Sequence, residues 1–274
     1  MLTHRSFLLA LAVAAIPAPA SAARVPRAHR TDVTSGMARI TGGMYRPLYA
    51  TRGAPRTRVA TFALDRMPVT RGSFLQFVTA HPQWRRGAIR PVFAEAAYLA
   101  DWPAAMSAGD STDSRRPVTG VSWFAARAYC AAQDKRLPTV DEWEYAASAS
   151  ETRRHASDDT AFRRRLLALY AARKPERPPV AGRGLPNMYG VHDLHGVVWE
   201  WTLDFNSVVV GDDSRTAGSG QDARDHHLFC ASAAIGATDP SDFAAFARSA
   251  VRAGLTARST VRGVGFRCAL DLPG

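Results

Sequence analysis

Residues 117–147 read PVTGVSWFAARAYCAAQDKRLPTVDEWEYAA, and this stretch holds two helix starts in quick succession. Ser122 stands just before WFAARAYC, where its hydroxyl can accept from a backbone N–H of the first turn. Trp123, Ala126, Ala128 and Tyr129 are then available for packing. Asp134-Lys135 forms the turn out. Thr139 lies three residues before Glu142, the spacing at which each side chain can satisfy the other's backbone amide. The second helix carries Trp143 and runs into Ala146-Ala147. Two short helices joined by a tight turn, in a chain with 20 Gly and 17 Pro, point to a loop-rich globular protein.

The flanks agree. Upstream, Ala38–Tyr49 predicts an early strand with Gly42-Gly43 as its turn. Arg58–Leu64 is strand-like. Thr70 is a helix cap for a segment that places Phe74, Phe77 and Val78 on one face, and His81-Pro82 ends it. Residues 85–116 read as a long ordered surface insertion held by Trp84, Phe93, Tyr98 and Trp102. Downstream, 151–181 is basic and partly helical around Arg163–Tyr170, then rich in proline. Asn187–Thr202, NMYGVHDLHGVVWEWT, ends in an alternation that puts two tryptophans on one strand face. A loop follows over 204–220, and a C-terminal strand is expected around Phe266–Leu270. No repeat and no shift of composition divides 38–274, which reads as one α+β, loop-rich domain behind an arm at 23–37.

The first 22 residues, MLTHRSFLLALAVAAIPAPASA, have a short basic start, an apolar run and a small-residue end. They read as a signal peptide cleaved after Ala22. The apolar run is too short to span a bilayer and is followed by Pro17 and Pro19, so no transmembrane anchor is expected. Export to the periplasm follows. The leader holds one Arg and no acid, so its loss takes the net charge from +11 to +10. The arginines are scattered and an exported protein meets no genome, which argues against nucleic acid. An acidic protein partner or a membrane surface suits the charge better. Outside the cytosol a disulfide can persist. Three cysteines, Cys130, Cys230 and Cys268, allow one bridge and leave one thiol over.

In this order, PVTGVSWFAARAYC, KRLPTVDEWEYAA, NMYGVHDLHGVVWEWT and GVGFRC resemble the formylglycine-generating enzyme (sulfatase-modifying factor) family over roughly residues 40–270. The resemblance implies a large, irregular domain with little regular secondary structure, distantly similar to C-type lectins. It implies a bridge between Cys130 and Cys268, which makes Cys230 the odd thiol. It implies calcium held by the side chains of Asp193 and Glu200 and the carbonyls of Gly196 and Val198, a hard oxygen set. A second calcium site of the family is not placed within 151–186.

The active enzymes of the family bind copper(I) between two cysteines five apart. Cys230 falls on the first position, and Ile235 stands on the second. Two readings of Cys230 stay open. In one, it makes a modified copper site with His226 or His227. In the other, it is a buried thiol beside two surface histidines. The segments HPQWRR (81–86), FCASAAIGATDPSDFAAF (229–246) and RGVGFRC (262–268) are also similar to accessory proteins encoded with copper nitrite reductase and other denitrification enzymes. That similarity implies a monomeric periplasmic accessory or maturation factor for an exported client, such as a copper-containing respiratory enzyme. The alternative is a copper-dependent oxidase acting on a protein side chain.

Overall fold

The computed structural model describes residues 34–48, 56–172, 175–206 and 242–273. The leader, the arm up to residue 33, His226, His227, Cys230 and Ile235 lie outside these residues, as does the 204–220 loop beyond Asn206. The fold is α+β and irregular. Its seven described strands are each two to four residues long. The longest of the five described α-helices has 12 residues.

Strands β1 (Met37–Ile40) and β4 (Phe62–Asp65) pair antiparallel, and β7 (Ala269–Asp271) adds to the other edge of β4. Strands β2 (Gly43–Tyr45) and β3 (Thr57–Val59) form a separate antiparallel pair. At the turn expected around Gly42-Gly43 the chain passes from one sheet to the other, and Gly43 already opens β2. A Cβ on Gly42 would lie 2.3 Å from the Val59 carbonyl oxygen, so only glycine fits this crossing. The single strand expected over Arg58–Leu64 is broken at Ala60-Thr61 for the same reason, since β3 and β4 serve different sheets.

The helix starts follow their caps. Helix α1 (Arg71–Ala80) begins under Thr70, whose hydroxyl accepts from Ser73 N. Helix α2 (Trp123–Ala131) begins under Ser122, which accepts from Ala125 N at 3.2 Å. Helix α3 (Val140–Ala147) has the full reciprocal box between Thr139 and Glu142. Helix α4 (Thr160–Ala171) is longer than the turn or two expected, because Asp159 caps both Ala161 N and Phe162 N. Helix α5 (Phe243–Ala253) is capped by Asp242.

The main core lies between α1, α2 and the C-terminal segment. Phe74 meets Tyr129 at 5.8 Å and Phe266 at 6.0 Å between ring centroids. The 85–116 segment is deeper than a surface insertion, since Tyr98, Leu99 and Trp102 are buried in this same core. A second core joins the β1–β4–β7 sheet to α3, and a small third one joins α4 to α5. The short parallel pair β5 (Trp199–Glu200) and β6 (Val264–Gly265) brings the WEW segment beside the chain end.

Cys130 in α2 and Cys268 just before β7 form a disulfide, both fully buried, across 138 residues of sequence. Closing a loop of that length removes entropy from the unfolded chain. The Cys130→Ser Cys268→Ser variant is expected to lose about 4–5 kcal/mol of stability in urea denaturation. An unchanged midpoint would contradict this.

Candidate functional site

Glu200 lies on β5 and Arg267 follows β6, so the parallel pairing sets them face to face. The Arg267 side chain is wholly buried. Its Nε and Nη2 donate to the two Glu200 oxygens, each at 2.8 Å. Trp143 Nε1 donates to Glu200 Oε2 at 2.7 Å. The remaining guanidinium donors reach the carbonyls of Asp65, Arg66 and His192. A buried charge pair of this kind is viable only when its donors and acceptors are satisfied, and here three further segments of the chain supply the partners.

A second buried charge group sits on the far side of Trp143. Glu144 accepts from Arg248 through Nε and Nη2, and from Arg252 Nη1 at 2.6 Å. Both guanidinium groups lie over the Trp143 ring, at 5.7 and 5.0 Å. Burial would raise the Glu144 pKa, but the two arginines outweigh it and hold the carboxyl down at about 2. Two cations on one anion leave a positive excess, and the aromatic faces of Trp143 and Tyr170 offset part of it.

That excess reaches a tyrosine–histidine pair. His195 Nε2 lies 2.9 Å from the Ala147 carbonyl oxygen, which can only accept, so the proton sits on Nε2. His195 Nδ1 then accepts from the Tyr170 hydroxyl at 3.2 Å, and Arg248 Nη1 donates to the same hydroxyl oxygen at 3.4 Å. Burial first, and Arg248 second, push His195 down to about 4, which keeps it neutral at ordinary pH. Burial raises Tyr170.

Tyr170 stacks on Trp199 with centroids 5.3 Å apart and planes 27° from parallel. Together they floor a cleft of about 360 Å³. Gly196, Val197 and Val198 form one wall. Arg177, Glu176 and Arg262 stand on the rim. Glu176 and Arg262 form a loose exposed pair at 3.9 Å, and Arg177 pairs with Asp113 at 3.1 Å. Such pairs contribute little to stability and can exchange for a ligand's groups.

Of the residues singled out for calcium, the structure places all four along one turn into β5. Asp193 and Gly196 have φ of +58° and +83°, which bends the chain there. The Asp193 carboxylate accepts from Gly182 N and Gly184 N. A carboxylate offers about four lone-pair sites. Asp193 accepts from two donors, and the wholly buried Glu200 from three. The oxygen donors are of the type calcium takes. Among the described residues no group of three or more His, Cys, Asp or Glu side chains is placed to hold a metal ion. His226, His227 and Cys230 lie outside the described residues.

Glu144, Arg248, Arg252, Tyr170 and His195 were not foreseen from the sequence. One signal for them was present: Arg248 and Arg252 are four apart on the otherwise apolar FAAFARSAVRA, a spacing that turns both to one face.

Neutral His195 predicts a pH dependence. Its folded pKa lies below the unfolded value, so the unfolded chain binds the extra proton between about pH 6.5 and about pH 4. Stability is therefore full above that window and falls on acidification through it, by up to about 1.4 kcal/mol per pH unit. Urea midpoints measured from pH 7 to pH 4 should fall, and His195→Gln should flatten the slope. An equal slope in the variant would contradict the assignment.

The profile of the family described as sulfatase-modifying factor enzyme 1-like domain matches residues 21–272. The chain is 33% identical over 181 residues to a Bos taurus protein named "Inactive C-alpha-formylglycine-generating enzyme 2", covering 61% of this chain and 54% of that protein. Its Mus musculus counterpart is matched over 53% of its length, so the chain spans about half of these two relatives. A Streptomyces coelicolor protein named "Formylglycine-generating enzyme" is 28% identical, over 95% of this chain and 97% of that one. The solved structure of PvdO from Pseudomonas aeruginosa is similar at a TM-score of 0.45 and 20% identity, covering 86% of this chain and 94% of that chain. Among the described residues, no helix is long and apolar enough to cross a membrane.

Proposed function

This chain belongs to the sulfatase-modifying factor enzyme 1-like domain family, and on that premise we propose that it is an exported accessory or maturation factor that holds a client polypeptide without converting a cysteine to formylglycine. The observation that carries the reading is Ile235. It stands five residues after Cys230, where the family resemblance puts the second thiol. An isoleucine side chain offers no lone pair to copper(I) and no sulfur for exchange. The relatives named as inactive formylglycine-generating enzymes support the reading, since the family scaffold occurs there under a name that denies the reaction.

In this proposal the protein leaves the cytosol through its leader at 1–22 and works in the periplasm as the single domain 38–274, distantly similar to C-type lectins. The client is a copper-containing or denitrification enzyme, as the likeness to the nitrite-reductase accessory group suggests. The Tyr170–Trp199 floor offers a flat face on which a client side chain can stack. The rim charges at Arg177, Glu176 and Arg262 can pair with its polar groups. Calcium, where present, would be held by Asp193, Glu200 and the carbonyls of Gly196 and Val198. It would tie the turn that forms the cleft wall.

A second reading has one observation in its favour. His226 and His227 stand four and three residues before Cys230, and both residue types ligate copper. The protein would then be a copper-dependent oxidase of a protein side chain. One experiment decides between the two. A cysteine-bearing peptide is incubated with the protein, copper(I) and oxygen, and followed by mass spectrometry. The accessory reading expects the cysteine to remain unchanged. An aldehyde product that disappears in Cys230→Ser would overturn it and establish the oxidase.

A further inference from the structure

We propose that the groove between α4 and the 179–197 loop docks an acidic segment of the client through one inserted apolar side chain; this rests on the accessory-factor reading and names the chemistry of its partner. The groove encloses about 490 Å³. That lies within the range of cavities that accept ligands and is ample for one large side chain.

Its lining is apolar and unusually open. Leu166 is buried at the base, while Leu169 and Leu185 stand 40% and 80% exposed on the two walls. An exposed leucine alone means little. Two leucines facing one concavity form a patch that water covers at a cost.

The rim identifies the partner's charge. Arg165 and Arg183 both line the groove and both are exposed. Arg164 is exposed on the same helix. Two acids line the groove: Glu151 is paired with Arg165 at 2.7 Å, and the buried Asp193 accepts from the backbone N–H of Gly182 and Gly184. Without its leader the chain carries a formal charge of +10, one Arg fewer than the +11 of the full sequence. A segment rich in Asp and Glu is therefore drawn to this face, where Arg164 and Arg183 are exposed.

The groove also adjoins the cleft. Gly196 and Val197 line both cavities and form the partition between them. A polypeptide seated on Tyr170 and Trp199 can cross this glycine and place its next residues against Leu169 and Leu185. Gly196 has a φ of +83°, a conformation that favours glycine, and a Cβ there would meet Leu169 at an ordinary contact distance of 3.5 Å. The concave shape favours an inserted side chain over a flat lipid surface.

The test is fluorescence anisotropy with the full chain and a labelled peptide of glutamates and aspartates around one leucine. Saturable binding is expected, weakening as salt rises from about 0.05 M to about 0.5 M. Arg183→Glu and Leu185→Asp should each weaken it by about tenfold or more with an unchanged Tm, because both side chains are exposed. Equal binding of a lysine counterpart, or wild-type binding by both variants, would overturn the proposal. So would binding to anionic vesicles that Leu185→Asp abolishes and the peptide does not compete for, or a dimer that Leu185→Asp dissociates; these would give the face to lipid or to a second copy. Loss of peptide binding leaves the cysteine-peptide result untouched, so the groove and the accessory reading fail separately.

Discussion

The buried pair of Glu200 and Arg267 holds the irregular parts of this molecule to one another. Short strands cannot do so alone, since β5 and β6 have two residues each. The guanidinium and carboxylate gather donors and acceptors from Trp143 in α3, from the end of β4 at Asp65 and Arg66, and from His192 in the turn before β5. An unpaired charge at that depth is costly, so every one of these segments is held in place by the need to satisfy it. The neighbouring Cys130–Cys268 bridge ties the same stretch to α2.

Trp143 connects this pair to the rest. Its indole N–H serves Glu200, and its face carries Arg248 and Arg252. Glu144, the next residue, neutralises one of those two charges. Burial first, and the surplus positive charge second, favour a neutral His195, whose free Nδ1 accepts from the Tyr170 hydroxyl while the Tyr170 ring stacks on Trp199. The floor of the cleft is thus the outer end of a chain of charge and hydrogen bonding that starts in the core. Its chemistry is suited to holding a side chain in place. In the accessory reading we propose, no reaction follows there, because Ile235 stands where the family resemblance puts the second thiol.

Local signals made the helix starts legible. Thr70, Ser122 and the Thr139–Glu142 box act within four residues, so the sequence shows both partners at once. The strands were less legible. Gly42-Gly43 looks like a turn, but a Thr61 hydroxyl and the Val59 carbonyl, both distant in sequence, decide its use. Arg58–Leu64 looks like one strand because its apolar pattern does not record which sheet each half serves. At the site, the calcium residues came from the family's order of motifs. The Glu144–Arg248 contact spans 104 residues and the Tyr170–His195 contact 25, and no local spacing announces either. Only the four-residue interval between Arg248 and Arg252 hinted at a shared partner.

The most direct measurement of the central claim is a double-mutant cycle on the buried pair, using urea denaturation of Glu200→Gln, Arg267→Met and the two combined. Each single change leaves a buried charge without its partner and should cost about 3–5 kcal/mol. The double variant should lose clearly less than the sum, with about 1–3 kcal/mol of coupling between the two sites. Strictly additive losses would contradict the account, because they would mean that Glu200 and Arg267 support the fold independently.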